Sequence, residues 1–168
     1  MTSSILFVCL GNICRSPLVA AVARRRFADA GLSVAVDSCG TGGWHVGQGA
    51  DPRSIRVAEE AGYSLLDHRV RQLTADDFSR FEAILAMDDD NLALLRERSP
   101  ADDNARVSLF LDAARLDRHV PPIVPDPYYE DLDAFRHVLK LAEQGVDGLI
   151  GRLRRGESLA ASSRSAAR

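Results

Sequence analysis

Residues Ile5-Leu6-Phe7-Val8-Cys9-Leu10-Gly11-Asn12-Ile13-Cys14-Arg15-Ser16-Pro17 read ILFVCLGNICRSP. A short apolar run ends on a cysteine. Gly and Asn follow, then Arg-Ser-Pro. Such a run suits a strand buried on both faces of a parallel sheet. Ser16 is a good helix N-cap and Pro17 suits the first helical position. The spacing predicts a helix over Pro17–Ala30, with Val19, Val22, Ala23 and Phe27 on one face and Gly31 as its stop. Strand, loop and helix in this order form the first half of a βαβ unit.

The pattern repeats along the chain. Ser33–Asp37 is a second strand, and Ser38–Asp51 a Gly-rich loop. Pro52–Ala61 is a helix capped by Asp51 and stopped by Gly62. Thr74–Phe78 is one helical turn. Ala83–Met87 is a third strand, Asp88–Arg98 a helix, and Arg106–Leu111 a fourth strand. A second long loop, Asp112–Asp131, carries Pro121, Pro122, Pro125 and Pro127. A last helix has Leu132, Phe135, Leu139, Ala142, Val146, Leu149 and Leu153 at helical spacing, although interior Gly145, Gly148 and Gly151 weaken it. The fold class expected is α/β: one domain over residues 1–155, with a four-stranded, mostly parallel sheet flanked by helices on both faces. Residues 156–168 have no packing pattern and read as a disordered tail. In such folds ligands bind beyond the carboxyl ends of the strands. Cys9 and the two long loops share that edge.

Bulk properties agree. The 168 residues suffice for one core, 46% are hydrophobic and 27% charged. A formal net charge of −3 gives no electrostatic basis for nucleic-acid binding. No apolar run is long enough to span a bilayer, and Met1-Thr2-Ser3-Ser4 lacks the features of a signal peptide. Three cysteines do not suggest a disulfide framework, so a reducing cytoplasm is expected. No metal or other cofactor is expected. Asp88-Asp89-Asp90 resembles a run of metal ligands but begins a helix, where acidic capping accounts for it. Arg24-Arg25-Arg26 reads as a solvated face.

The first loop has a definite chemistry. Free amides and the positive end of the helix face back into it. Gly11 and Asn12 tolerate the left-handed backbone that turns amides inward. Inward amides at a helix start bind anions, and Arg15 adds a fork that grips two phosphate oxygens. Such a field stabilises a thiolate, here that of Cys9, and the Ser16 hydroxyl can donate to it. The loop is arranged for attack on phosphorus.

CLGNICRSP resembles the signature loop of the low-molecular-weight protein tyrosine phosphatases, and Asp126-Pro127-Tyr128-Tyr129 resembles that family's acid loop. The similarity runs from Ile5 to Leu153 and takes in Asp37-Ser38, Gly40-Thr41, Trp44, Val46-Gly47, His68 and Arg71-Gln72. It implies a hydrolase of phosphotyrosine proteins. Cys9 would attack phosphorus, while Arg15 and the amides of Leu10, Gly11, Asn12, Ile13 and Cys14 hold the oxygens. Asp126 would protonate the leaving tyrosine and then activate water. From the residues alone Asp126-Pro127 is equally ordinary turn chemistry. Asn12 would support the loop with Ser38 and His68 as partners; the plain alternatives are a strand end and a surface histidine. Trp44, Tyr128 and Tyr129 match ring-lining positions, and Ile13 joins them as a candidate wall of the slot. Cys14 matches a cysteine that pairs reversibly with the nucleophile, or is a small residue packed beneath the loop. Cys39 has no matching role.

Rival readings are weaker. Arsenate reductases of this type need further cysteines near mid-chain, and residues 40–168 hold none. Arginine phosphatases of this fold favour a smaller β-branched polar residue where this chain has Ile13. A binding module needs neither thiolate nor acid. A thiol redox protein would have no use for Arg15.

Overall fold

The computed structural model describes residues 4–100, 106–116 and 121–160. The strands are β1 (Ser4–Cys9), β2 (Ala35–Gly40), β3 (Ala83–Ala86) and β4 (Val107–Leu109). The helices are α1 (Arg15–Asp29), α2 (Pro52–Glu60), α3 (Asp77–Arg80), α4 (Asp89–Arg98), α5 (Phe110–Ala113) and α6 (Leu132–Arg154). The order across the sheet is β2-β1-β3-β4, and every pairing is parallel.

Burial on both faces explains the continuous apolar run of β1. Ile5 and Phe7 join one core with α1, α2, α5 and α6, where Phe7 meets Phe110 edge-on at 5.5 Å between ring centroids. Leu6 and Val8 join a second core with Phe78, Leu92 and Leu95 of α3 and α4. Successive side chains of a strand point to opposite faces, so one strand serves two layers. The chain leaves β1 for β2 on one side and returns to β3 on the other. The crevice between the carboxyl ends of β1 and β3 is therefore the switch point of the sheet, where such folds bind ligands.

Several boundaries differ from those read in the sequence. β2 begins at Ala35 and runs on to Gly40, because Ser38, Cys39 and Gly40 continue the register with Phe7, Val8 and Cys9. β4 is only three residues long; Phe110 and Leu111, read as strand, turn into α5. The middle of the second long loop, 117–120, lies outside the described residues.

Ser16 does not cap α1. The helix starts two residues earlier than expected, at Arg15, with Cys14 at the cap position and no side-chain cap bond, and the Ser16 hydroxyl is used elsewhere. Asp51 and Asp88 do cap, accepting from the amides of Arg53 and Asn91. α6 is continuous through its glycines because two of them are contact points. A Cβ on Gly145 would lie 2.3 Å from the Phe110 ring, and one on Gly148 would lie 2.3 Å from the Ala114 carbonyl oxygen.

Arg26 is only partly solvated. It donates to Asp147, Glu143 and the Tyr63 hydroxyl, tying α1 to α6. The ordered chain also passes the expected limit at Gly156: Leu159 is buried in the main core and Arg152 donates to the Ser158 carbonyl. Residues 161–168, the rest of the expected tail, lie outside the described residues.

Candidate active site

Cys9 ends β1 and is buried, with its Sγ at the centre of the loop that follows. The Asn12 amide donates to the sulfur at 3.3 Å, and the Ser16 Oγ lies 2.9 Å from it. Ser16, in the first turn of α1, thus serves the sulfur instead of the helix end.

Five carbonyls of this loop face outward, onto the segment after β2, onto His68 and onto the start of α2. Cys9 O accepts from the Thr41 amide, Leu10 O from the Gly42 amide, and Asn12 O from His68 Nε2. Ile13 O accepts from the Asp51 amide and Cys14 O from the Ser54 hydroxyl. A trans peptide sets its N–H opposite its C=O. The amides of Leu10, Gly11, Ile13, Cys14 and Arg15 therefore turn to the concave side, around the sulfur. This is a nest of donors at a helix start, suited to a tetrahedral oxyanion.

Asn12 makes the turn. Its φ is 58°, the left-handed region, and it is fully buried. Its Nδ2 donates to Ser16 Oγ at 2.9 Å and to Ser38 Oγ at 3.0 Å. Its Oδ1 accepts from the Arg71 amide at 3.1 Å. Ser38 and His68 thus both reach Asn12, one through the side chain and one through the backbone. Burial lowers the His68 pKa and the bond to Asn12 O opposes the shift, leaving a net lowering. Gly40 is required beneath the loop, since a Cβ there would stand 2.8 Å from Leu10 O.

Arg15 is 3% exposed. Its Nη1 donates to Asp88 Oδ2 at 2.6 Å and to Val124 O at 3.1 Å. Its Nη2 lies 3.7 Å from Asp126 Oδ2. Burial works against its charge, but Cys9, Asp88 and Asp126 outweigh burial and raise its pKa. Asp88 was read from sequence only as a cap. It does cap α4, and its other oxygen also orients the arginine. Its place directly after β3 was the available signal.

A cavity of about 250 Å³ opens over the sulfur, lined by Cys9, Ile13, Arg15, Trp44, Asp126 and Tyr128 among others. It also borders His45, which the sequence did not single out and which pairs with Gln48. Trp44 is 70% exposed and Tyr129 93%, so both stand at the rim, whereas Tyr128 is less exposed and Ile13 is half-buried. Asp126 Oδ1 accepts from the Tyr128 amide, so turn chemistry and a place beside Arg15 are both real. Cys14 is buried, and burial first, then Asp51, raises its pKa far above an ordinary thiol. Cys39 lies in the second core. Among the described residues no group of three or more His, Cys, Asp or Glu side chains could hold a metal ion. No helix there is long and apolar enough to cross a membrane.

Fold and site together define a doubly wound α/β domain whose switch point holds a cysteine inside a loop of inward-facing amides. The low molecular weight phosphotyrosine protein phosphatase family matches residues 4–159. A low molecular weight protein-tyrosine-phosphatase of Streptomyces coelicolor is 44% identical over 157 residues, covering 92% of this chain and 95% of its own. A low molecular weight phosphotyrosine protein phosphatase of Schizosaccharomyces pombe is 45% identical over 134 residues, covering 78% and 84%. The crystal structure of a protein tyrosine phosphatase from Entamoeba histolytica superimposes with a TM-score of 0.86 at 36% identity, covering 92% of this chain and 99% of that one. The chain belongs to the low molecular weight phosphotyrosine protein phosphatase family.

Proposed function

We propose that the protein hydrolyses phosphotyrosine in proteins, and small aryl phosphates, through a phosphocysteine at Cys9. The observation that carries this reading is the outward anchoring of the carbonyls of Cys9, Leu10, Asn12, Ile13 and Cys14, which leaves the loop amides and Arg15 around one sulfur. A phosphoryl group seated there has its oxygens on the amides and the guanidinium and its phosphorus against Cys9. Charge that spreads over those oxygens during transfer meets donors already in place.

In the first step the sulfur forms a bond to phosphorus while the bond to the tyrosine oxygen breaks. Phenolate is a poor leaving group unless protonated, and the Asp126 carboxyl supplies that proton from the open side of the cavity. In the second step water attacks phosphorus, its proton passes to Asp126, and the sulfur leaves with inorganic phosphate as product. Ser16 stabilises the sulfur each time it carries charge. Asn12, Ser38 and His68 keep the loop in its left-handed turn. The ring of phosphotyrosine lies between Ile13 and Tyr128 with Trp44 and Tyr129 at the rim. A phosphoserine is too short to reach the sulfur from there. Three thiols without disulfides support a cytoplasmic setting.

The test is hydrolysis of aryl phosphates by the parent, Cys9→Ser and Asp126→Ala. Cys9→Ser is expected to be inactive and to yield no phosphoenzyme on rapid acid quench. Asp126→Ala is expected to lose most activity on the poorest leaving groups. Full activity of Cys9→Ser would overturn the mechanism. Phosphotyrosine, phosphoserine and phosphoarginine peptides, compared at one concentration, decide the substrate class.

A further inference from the structure

The Asp126 carboxyl is 45% exposed, so its placement depends on what holds its loop. The residue best placed to do so is Arg53, in the first turn of α2. Its Nε and Nη2 grip Asp51 at 3.0 and 2.9 Å, a two-point pairing. Its Nη1 donates to the carbonyl of Glu130 at 3.3 Å. Its guanidinium carbon lies 4.3 Å from the centroid of the Phe135 ring and 5.6 Å from that of Tyr128. One planar group therefore touches the acid loop at Tyr128 and Glu130 and the first turn of α6 at Phe135.

The other end of this link is Asp51. Its carboxylate is nearly buried, and its backbone amide donates to Ile13 O in the phosphate-binding loop. Ile13, Asp51, Arg53 and Tyr128-Glu130 thus form a chain of direct contacts running from the loop that holds the sulfur to the loop that holds the acid. Arg53 has the geometry this needs: a fork for the carboxylate, a spare N–H for a carbonyl, and a flat face for two rings. A lysine at the position has one point charge and no face.

We infer that Arg53 is a positioning residue that sets the distance between the Asp126 carboxyl and the phosphoryl group on Cys9, by clamping the acid loop to Asp51. The inference rests on the reading of Asp126 as the general acid. Its effect falls on protonation of the leaving group, not on binding of the phosphate. Displacing an acid by about an ångström costs up to about a hundredfold in rate, and only where the leaving group needs the proton.

The experiment measures kcat/KM for a series of aryl phosphates of increasing phenol pKa, with the parent, Arg53→Met, Arg53→Lys and Asp126→Ala. Methionine keeps apolar contact with Phe135 and removes the fork. Lysine keeps a cation beside Asp51 and carries the test should the methionine variant not fold. With the poorest leaving group Arg53→Met is expected to lose about tenfold to a hundredfold, and with the best about threefold or less. Its dependence on phenol pKa then lies between those of the parent and Asp126→Ala, with Arg53→Lys nearer the parent. Affinity for inorganic phosphate stays within about twofold of the parent, since the phosphate-binding loop is intact. A uniform loss across the series, or an unchanged dependence in both Arg53 variants while that of Asp126→Ala steepens, overturns the inference. An unchanged dependence in Asp126→Ala instead overturns the acid assignment on which it rests.

Discussion

Arg15 and Asp88 meet across the switch point of the sheet, Nη1 to Oδ2, at 2.6 Å. One follows β1 and the other follows β3, so parallel pairing of those strands brings them together. The arginine is almost wholly buried and cannot rely on water to hold its orientation. Asp88→Ala leaves Val124 O as its neutral anchor and removes the cap of α4. Hydrogen bonds to charged groups contribute about 1.5–3 kcal/mol. Asp88→Ala is therefore expected to lower kcat/KM by about tenfold to a hundredfold and to weaken inhibition by inorganic phosphate. Asp88→Asn keeps a capping oxygen and a smaller part of the loss. Steady-state kinetics with phosphate as inhibitor checks both.

Asn12 combines a strained backbone with a hydrogen-bond hub, and two substitutions separate them. Asn12→Gly keeps the φ of 58° without steric cost and loses the bonds to Ser16, Ser38 and the Arg71 amide. Asn12→Ala loses the same bonds and adds about 1–2 kcal/mol for a left-handed alanine. In urea denaturation both variants are expected to be less stable than the parent, with alanine below glycine by about that amount. Equal stabilities would show that the turn carries no strain.

His68 links the loop to pH. Burial holds its pKa below the ordinary 6.5 in the folded protein, against the opposing bond to Asn12 O. The unfolded chain then binds the proton more readily than the folded one, so stability falls as pH falls below about 6.5 and levels off once pH is under the folded value. His68→Gln retains an amide donor for Asn12 O and does not titrate. Denaturation midpoints taken between about pH 5 and 7 are expected to fall less steeply on acidification in this variant than in the parent.

The glycines of α6 are expected to respond in opposite directions. Alanine gains up to about 1 kcal/mol of helix propensity over glycine. At Gly151 its Cβ meets nothing closer than Arg155 Nη1 at 3.5 Å, so Gly151→Ala is expected to stabilise by about 0.5–1 kcal/mol. At Gly145 it meets the Phe110 ring and at Gly148 the Ala114 backbone, each at 2.3 Å. Overpacking costs about 1–3 kcal/mol, so both of these alanines are expected to lower the melting temperature.

The sequence by itself determined whatever depends on neighbours along the chain. The run Ile5–Val8 declares a strand buried on both faces, Asp51-Pro52 and Gly62 bracket α2, and the Cys9 to Arg15 spacing places thiol and guanidinium in one loop, because backbone propensity, capping and hydrophobic period act over a few residues. Tertiary structure alone decided the use of residues whose partners lie far away. Ser16 has the local signature of a cap, yet the sulfur at the end of β1 claims its hydroxyl. Asp88 reads as a cap and also orients an arginine 73 residues earlier. Arg26 reads as solvated and is bound by α6. Gly145 and Gly148 read as helix defects and are contact points for α5 and the residue that ends it. In each case the deciding contact is made only once parallel strand pairing and helix packing have brought distant segments to one edge or one face, and no short-range pattern encodes that.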